Sequence, residues 1–237
     1  MGELRRPAPI ARTSINWPER RPIGQSEQLL VQLNQTNACF KLLNAKTARG
    51  TRSDNRSHEL LDAMARLFAE RGYAATSTRD IALAAKMLPG SLYYHFASKE
   101  QMLLAVYEAG VRELETAVRC AVEREKLPWT RLEAACRAHL ETVLRNSDYA
   151  QVLIRVLPQD VQSVAQRLGE LRSGYEEVWR DLVAALPLPA GNDRGAFRLL
   201  LLGALNWARF WFDPQGRDSP DVLARKFVAI LKEAQNV

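Results

Sequence analysis

At 237 residues, 47% of them hydrophobic, the chain is long enough to bury one or two sizeable cores, and wholesale disorder is excluded. The longest apolar stretches are broken by charge before they reach the length of a membrane span, and no apolar signal core opens the chain, so a cytoplasmic protein without membrane partners is expected. The net charge is +6, and residues 1–56 carry all of that excess, with ten Lys/Arg against four Asp/Glu, while residues 57–103 and 104–237 are each balanced.

In chain order, residues 1–50 hold Pro7, Pro9, Pro18 and Pro22, arginine pairs and only one short apolar patch from Leu29 to Leu33, and read as a basic, disordered extension. A basic arm ahead of a folded domain can add phosphate contacts or enter a minor groove where the partner is a nucleic acid, and Arg49, Arg52 and Arg56, next to the domain, are the best placed to do so. The three cysteines, Cys39, Cys120 and Cys136, fit no zinc spacing and are read as reduced thiols. His58, His95 and His139 are scattered, so neither a metal site nor a cofactor is expected.

Ser77 starts a short helix, with Asp80 three residues on as an acidic capping-box partner, and Ile81, Ala82, Ala84 and Ala85 give it a small apolar face. Met87-Leu88-Pro89-Gly90 breaks the pattern, and Pro89 fits the first turn of a second helix running to Phe96. On that helix Leu92 and Phe96 face inward, which leaves Ser91, Tyr93, Tyr94 and His95 over the exposed side. Ser98 with Gln101 opens the next helix at once. Two short helices in this arrangement suit a DNA major groove, where hydroxyls bond phosphates or bases and Lys99 can pair with a phosphate.

Several motifs then coincide. Leu60-Leu61-Asp62-Ala63, Leu67-Phe68, Arg71-Gly72-Tyr73, Thr78-Arg79-Asp80-Ile81-Ala82, and Gly90-Ser91-Leu92-Tyr93-Tyr94-His95-Phe96 with Ser98-Lys99-Glu100 resemble the DNA-binding domain of the TetR (tetracycline repressor) family over residues 56–103. The resemblance implies a helix-turn-helix domain at residues 51–103 followed by a helical ligand-binding and dimerisation domain at 104–237. It places Arg52, Arg56, Ser77, Thr78, Arg79, Pro89, Gly90, Ser91, Tyr93, Tyr94, His95 and Lys99 at the DNA. Two residues depart from the family pattern. Lys86 stands where glycine is usual in a left-handed turn, and Leu88 stands where a polar cap is usual. Pro89 and Gly90 offer no side-chain donors, so base reading is expected from Arg79 and the aromatic side chains.

The remainder reads as entirely helical. A long fourth helix carries Leu103, Tyr107, Gly110, Val111, Leu114 and Val118 and ends near Pro128. Further helices fit Thr130–Arg145, Tyr149–Leu157, Gln159–Leu186, Gly195–Phe212 and Ser219–Ala234. Residues 196–212 are apolar around nearly the whole circumference, so the helix must be buried on more than one side. In the TetR family the last two helices form a four-helix dimer interface, which implies a homodimer on a palindromic operator. Gly203-Ala204-Leu205-Asn206-Trp207, with Trp211, Pro214, Gly216 and Ser219-Pro220, resembles a subgroup of TetR-type regulators of fatty-acid and sterol breakdown, many of which respond to acyl-coenzyme A thioesters. That resemblance makes Tyr107, His139, Val143, Arg155, Trp179, Asn206 and Phe210 candidates to line an effector cavity, with Arg155 facing a phosphate or carboxylate. A repressor released by its effector is the expected function. A TetR-type regulator of efflux or stress genes is the alternative within the class, and a helix-turn-helix fold used only for protein interaction is the alternative outside it. No nucleophile with an adjacent base and no phosphate loop points to an enzyme.

Overall fold

A computed structural model describes residues 52–145 and 147–234, with the side chains of 52–56 not described; the basic extension and Arg49 lie outside these residues. The described residues are helical, with no strand among them.

Helix α1 (Arg52–Arg71) buries Leu60, Met64, Leu67 and Phe68, then stops at Gly72, whose φ of +84° turns the chain. Buried Thr76 donates from Oγ1 to the Leu67 and Gly72 carbonyls at 3.2 and 2.9 Å, which satisfies acceptors at the end of α1 and fixes the corner into α2 (Thr78–Ala84). Helix α2 packs on α1, α3 (Pro89–His95) packs on α2, and Ile81, Ala82 and Leu92 are each nearly or wholly inaccessible. Phe96 caps the end of α3 and is half-buried.

Helix α4 (Lys99–Val122) is the spine shared by both parts, and Ser98 Oγ accepts the Gln101 N–H at its start. Around it stand α5 (Pro128–Leu144), α6 (Asp148–Arg155), α7 (Ala165–Ala184), α8 (Arg194–Trp211) and α9 (Pro220–Glu233). At Gly110 a Cβ would lie 3.1 Å from the Leu153 side chain and 3.2 Å from the Tyr149 carbonyl, so only glycine lets α6 cross α4 this closely. Helix α6 also touches α1 at two points: the Tyr149 hydroxyl donates to Asp62 Oδ1 at 2.6 Å, and the Arg155 guanidinium donates to the Ala69 carbonyl. Arg194 holds the last carbonyls of α7, donating to Val183 at 2.6 Å and Ala184 at 3.2 Å.

One expected helix is broken. The stretch expected to be helical from Gln159 instead begins with two single 3-10 turns, Pro158–Asp160 and Gln162–Val164, before α7. The Asp160 carboxylate takes the Leu157 N–H, and β-branched Val161 and Val164 adopt non-helical backbone angles while burying their side chains. Cys136 is a free thiol whose burial pushes its pKa above the ordinary value.

Candidate nucleic-acid interface and bundle core

The expected start of α2 is present in full. Asp80 N–H donates to Ser77 Oγ at 3.1 Å, and Ser77 N–H and Oγ–H both donate to Asp80 Oδ2, at 2.9 and 2.5 Å. These Ser77 bonds, with Arg71 3.5 Å away, hold the Asp80 carboxyl below its ordinary range. At the other end of α2, Lys86 has a φ of +54°, the one positive φ of a non-glycine residue among those described. Met87 N–H donates to the Ala82 carbonyl at 2.8 Å and Lys86 N–H to the Leu83 carbonyl at 3.1 Å, a Schellman turn with Lys86 at its left-handed position. The family's geometry is thus kept by a residue poorly suited to it. Leu88 is the N-cap of α3 and its side chain makes no capping bond.

Ser77, Arg79, Pro89, Gly90, Ser91, Tyr93, Tyr94 and His95 are all exposed, with Tyr94 at 89% and Tyr93 at 51%. Thr78 is half-buried, and its Oγ1 lies 3.2 Å from the Tyr93 hydroxyl, which links the two helices. Lys99 is held rather than free-swinging. Its Nζ sits 4.3 Å above the Tyr73 ring centre and 3.4 Å from the Ala74 carbonyl. Partial burial lowers its pKa. The Tyr73 hydroxyl donates to Glu100 Oε1 at 3.0 Å; burial first, and that bond second, raise the Tyr73 pKa to about 12. Tyr73 and Glu100 were not among the expected site residues, though Tyr73 follows the glycine stop and Glu100 lies in the first turn of α4. Arg52 and Arg56 lie in the first turns of α1.

In the bundle, three of the seven expected effector residues meet. His139 on α5 is fully buried, with Nδ1 2.8 Å from the Tyr175 hydroxyl and Nε2 3.2 Å from Asn206 Oδ1. The Trp179 ring stands edge-on to His139, at 5.6 Å between centroids, and to Tyr175 at 6.3 Å. Trp179 Nε1 is buried with no acceptor at full hydrogen-bonding geometry, and its nearest polar interaction is a weak one with Tyr175. Burial lowers the His139 pKa to about 4, so the ring is neutral at pH 7. Tyr107 is buried on α4, and Val143 lies one turn beyond His139. Arg155 and Phe210 are elsewhere: the first binds the Ala69 carbonyl, and the second is half exposed beside Trp207, at 4.5 Å between centroids. Tyr175, which sequence reading missed, sits one helical turn before Trp179 on α7. A groove of about 230 Å³ among α4, α5 and α7, bordered by Arg119, Arg131 and Asp181, is lined by none of the seven. Among the described residues no group of three His, Cys, Asp or Glu could hold a metal ion.

Comparison with known proteins agrees with this architecture. Residues 60–106 match the family model "Bacterial regulatory proteins, tetR family", and residues 125–234 match "Tetracyclin repressor-like, C-terminal domain". The chain is 31% identical over 190 residues to the HTH-type transcriptional repressor KstR2 of Rhodococcus jostii (strain RHA1), covering 74% of this chain and 89% of that one. It is similar to the solved structure of the ketosteroid transcriptional regulator KstR2 of Mycobacterium tuberculosis, with TM-score 0.61 and 26% identity over 78% of this chain and 96% of that one. It is also similar to AibR in complex with isovaleryl coenzyme A and operator DNA, with TM-score 0.65 and 26% identity over 74% and 97%. The chain therefore belongs to the tetR family of bacterial regulatory proteins, helix-turn-helix transcription regulators and not enzymes.

Proposed function

We propose that the chain is a cytoplasmic, homodimeric repressor that places α3 of each copy in the major groove of a palindromic operator and is released by a small-molecule effector, an acyl-coenzyme A thioester. The observation that carries the DNA reading is the α2–α3 unit, a capped helix and a short second helix with four exposed hydroxyl or imidazole side chains, Ser91, Tyr93, Tyr94 and His95. Ser77, Thr78, Pro89, Gly90 and Lys99 flank that surface. Arg79 and the aromatics supply base contacts, and Lys99, Arg52 and Arg56 supply phosphate contacts.

Dimerisation is supported by α8, which leaves Leu199, Leu200, Trp207, Phe210 and Trp211 exposed on one side while Leu201, Leu202 and Leu205 are buried on the other. So much exposed aromatic area is unusual for a monomer. The repressor assignment rests on KstR2, and the thioester on AibR. Within this chain, the buried Trp179 N–H, which lies beside Tyr175, and the His139–Tyr175–Asn206 cluster offer the polar contacts an effector in the bundle would use. Release requires the effector to bind a DNA-incompetent conformer more tightly than the competent one.

Fluorescence anisotropy on DNA from upstream of the coding sequence, with and without isovaleryl and longer acyl coenzyme A esters, tests both parts. Replacing Tyr93 and Tyr94 together by alanine should abolish operator binding and spare the dimer; binding that survives would overturn the placement of α3. Binding that no ester releases would overturn the effector.

A further inference from the structure

Two residues at the start of α3, its N-cap Leu88 and Gly90 in its first turn, work against the helix. Leu88 occupies the N-cap, where Ser, Thr, Asp or Asn would satisfy an orphan N–H, yet it makes no capping bond and is 76% exposed. Gly90 has a helical backbone, and a Cβ built there meets no heavy atom within 4 Å, so neither conformation nor space in the fold requires glycine. The unmade cap and the missing side chain gain nothing inside the chain. Departures from local preference that the fold does not reward concentrate where a partner binds. Leu83, the other exposed leucine of this region, instead lines a separate groove between α1 and α2 with Arg66 and Glu70.

Leu88 can neither donate nor accept a hydrogen bond, so its partner in a DNA groove is neither a phosphate nor a polar base edge. The apolar group displayed in the major groove is the C5 methyl of thymine. We infer that Leu88 reads a thymine methyl in each operator half-site, with Gly90 letting the α3 backbone approach the base edges closely enough for that contact. The inference rests on the proposed entry of α3 into the major groove, and it adds a base identity to that reading.

The operator is first selected from random duplexes by the full-length protein, and each thymine is then replaced by deoxyuridine, which removes the methyl and nothing else. Anisotropy should find one thymine per half-site whose replacement weakens binding about fourfold, and about fifteenfold when both half-sites are changed. Leu88→Ser, which restores a capping side chain and keeps the fold, should bind the thymine duplex more weakly and no longer distinguish it from the uracil one. Uracil replacement without effect at every position, or discrimination that persists in Leu88→Ser, would overturn the inference and leave DNA binding standing. If no duplex is enriched, the operator reading fails and this inference fails with it.

Discussion

Replacing Lys86 by glycine should stabilise the protein. Lys86 is held at φ +54° by a Schellman turn whose two hydrogen bonds involve backbone atoms only, and its side chain is exposed. The substitution therefore removes no packing and no hydrogen bond. It relieves the clash of Cβ with its own carbonyl, about 1–2 kcal/mol for an L-residue in the left-handed region. Against this stands the extra freedom glycine gives the unfolded chain, about 0.4–1 kcal/mol. The expected net gain is about 0.5–1 kcal/mol, a rise of roughly 1–4 °C in Tm for a chain of this size. Urea unfolding followed by circular dichroism, at one protomer concentration for all variants, measures it without interference from association. Lys86→Ala is the informative control, because it removes the charge and keeps Cβ. A glycine variant no more stable than the alanine variant would refute the argument that backbone strain is what Lys86 imposes.

The burial that lowers the His139 pKa to about 4 implies that the unfolded chain binds a proton which the folded chain refuses. Stability should be full above pH 6.5 and decline as the pH falls toward 4, by up to about 3 kcal/mol in all, a slope that His139→Gln should abolish in urea titrations across that range. Tyr149→Phe removes the donor to Asp62 and should cost about 1 kcal/mol in the same assay, with Tyr149→Leu costing more through lost packing. Gly110→Ala forces a methyl to 3.1 Å from Leu153 and should destabilise by about 1–3 kcal/mol, with a double variant that also shortens Leu153 to alanine recovering part of the clash energy.

The DNA-binding half was legible from sequence because its determinants are local. The Ser77–Asp80 box, Pro89 at the first turn and Ser98 before α4 each fix a helix boundary within four residues, and each is found in place. The left-handed turn at Lys86 was legible only through the family resemblance, since lysine itself gives no such signal. In the bundle the periodicity located helices but not their neighbours. His139, Tyr175 and Asn206 come together across 36 and 67 residues of chain, a convergence that no spacing rule encodes, and neither Tyr175 nor the contact of Arg155 with the Ala69 carbonyl is legible in the sequence. The 3-10 turns before α7 escaped detection because Val161 and Val164, three apart, have the spacing of a helical face.

The contacts between α6 and α1 form two parallel rungs, Tyr149 to Asp62 and Arg155 to Ala69. The rungs leave α6 six residues apart and reach α1 seven residues apart, so each spans about two turns, or roughly 10 Å. A single rung would act as a hinge about which α1 could swing while α6 stayed still. Two rungs resist that swing, and together with the close packing of the two helices they hold α1 and α6 in one register. Cutting either rung would leave the seam between α1 and α6 with one polar tie beside its packing, and the register of the two helices less sharply fixed.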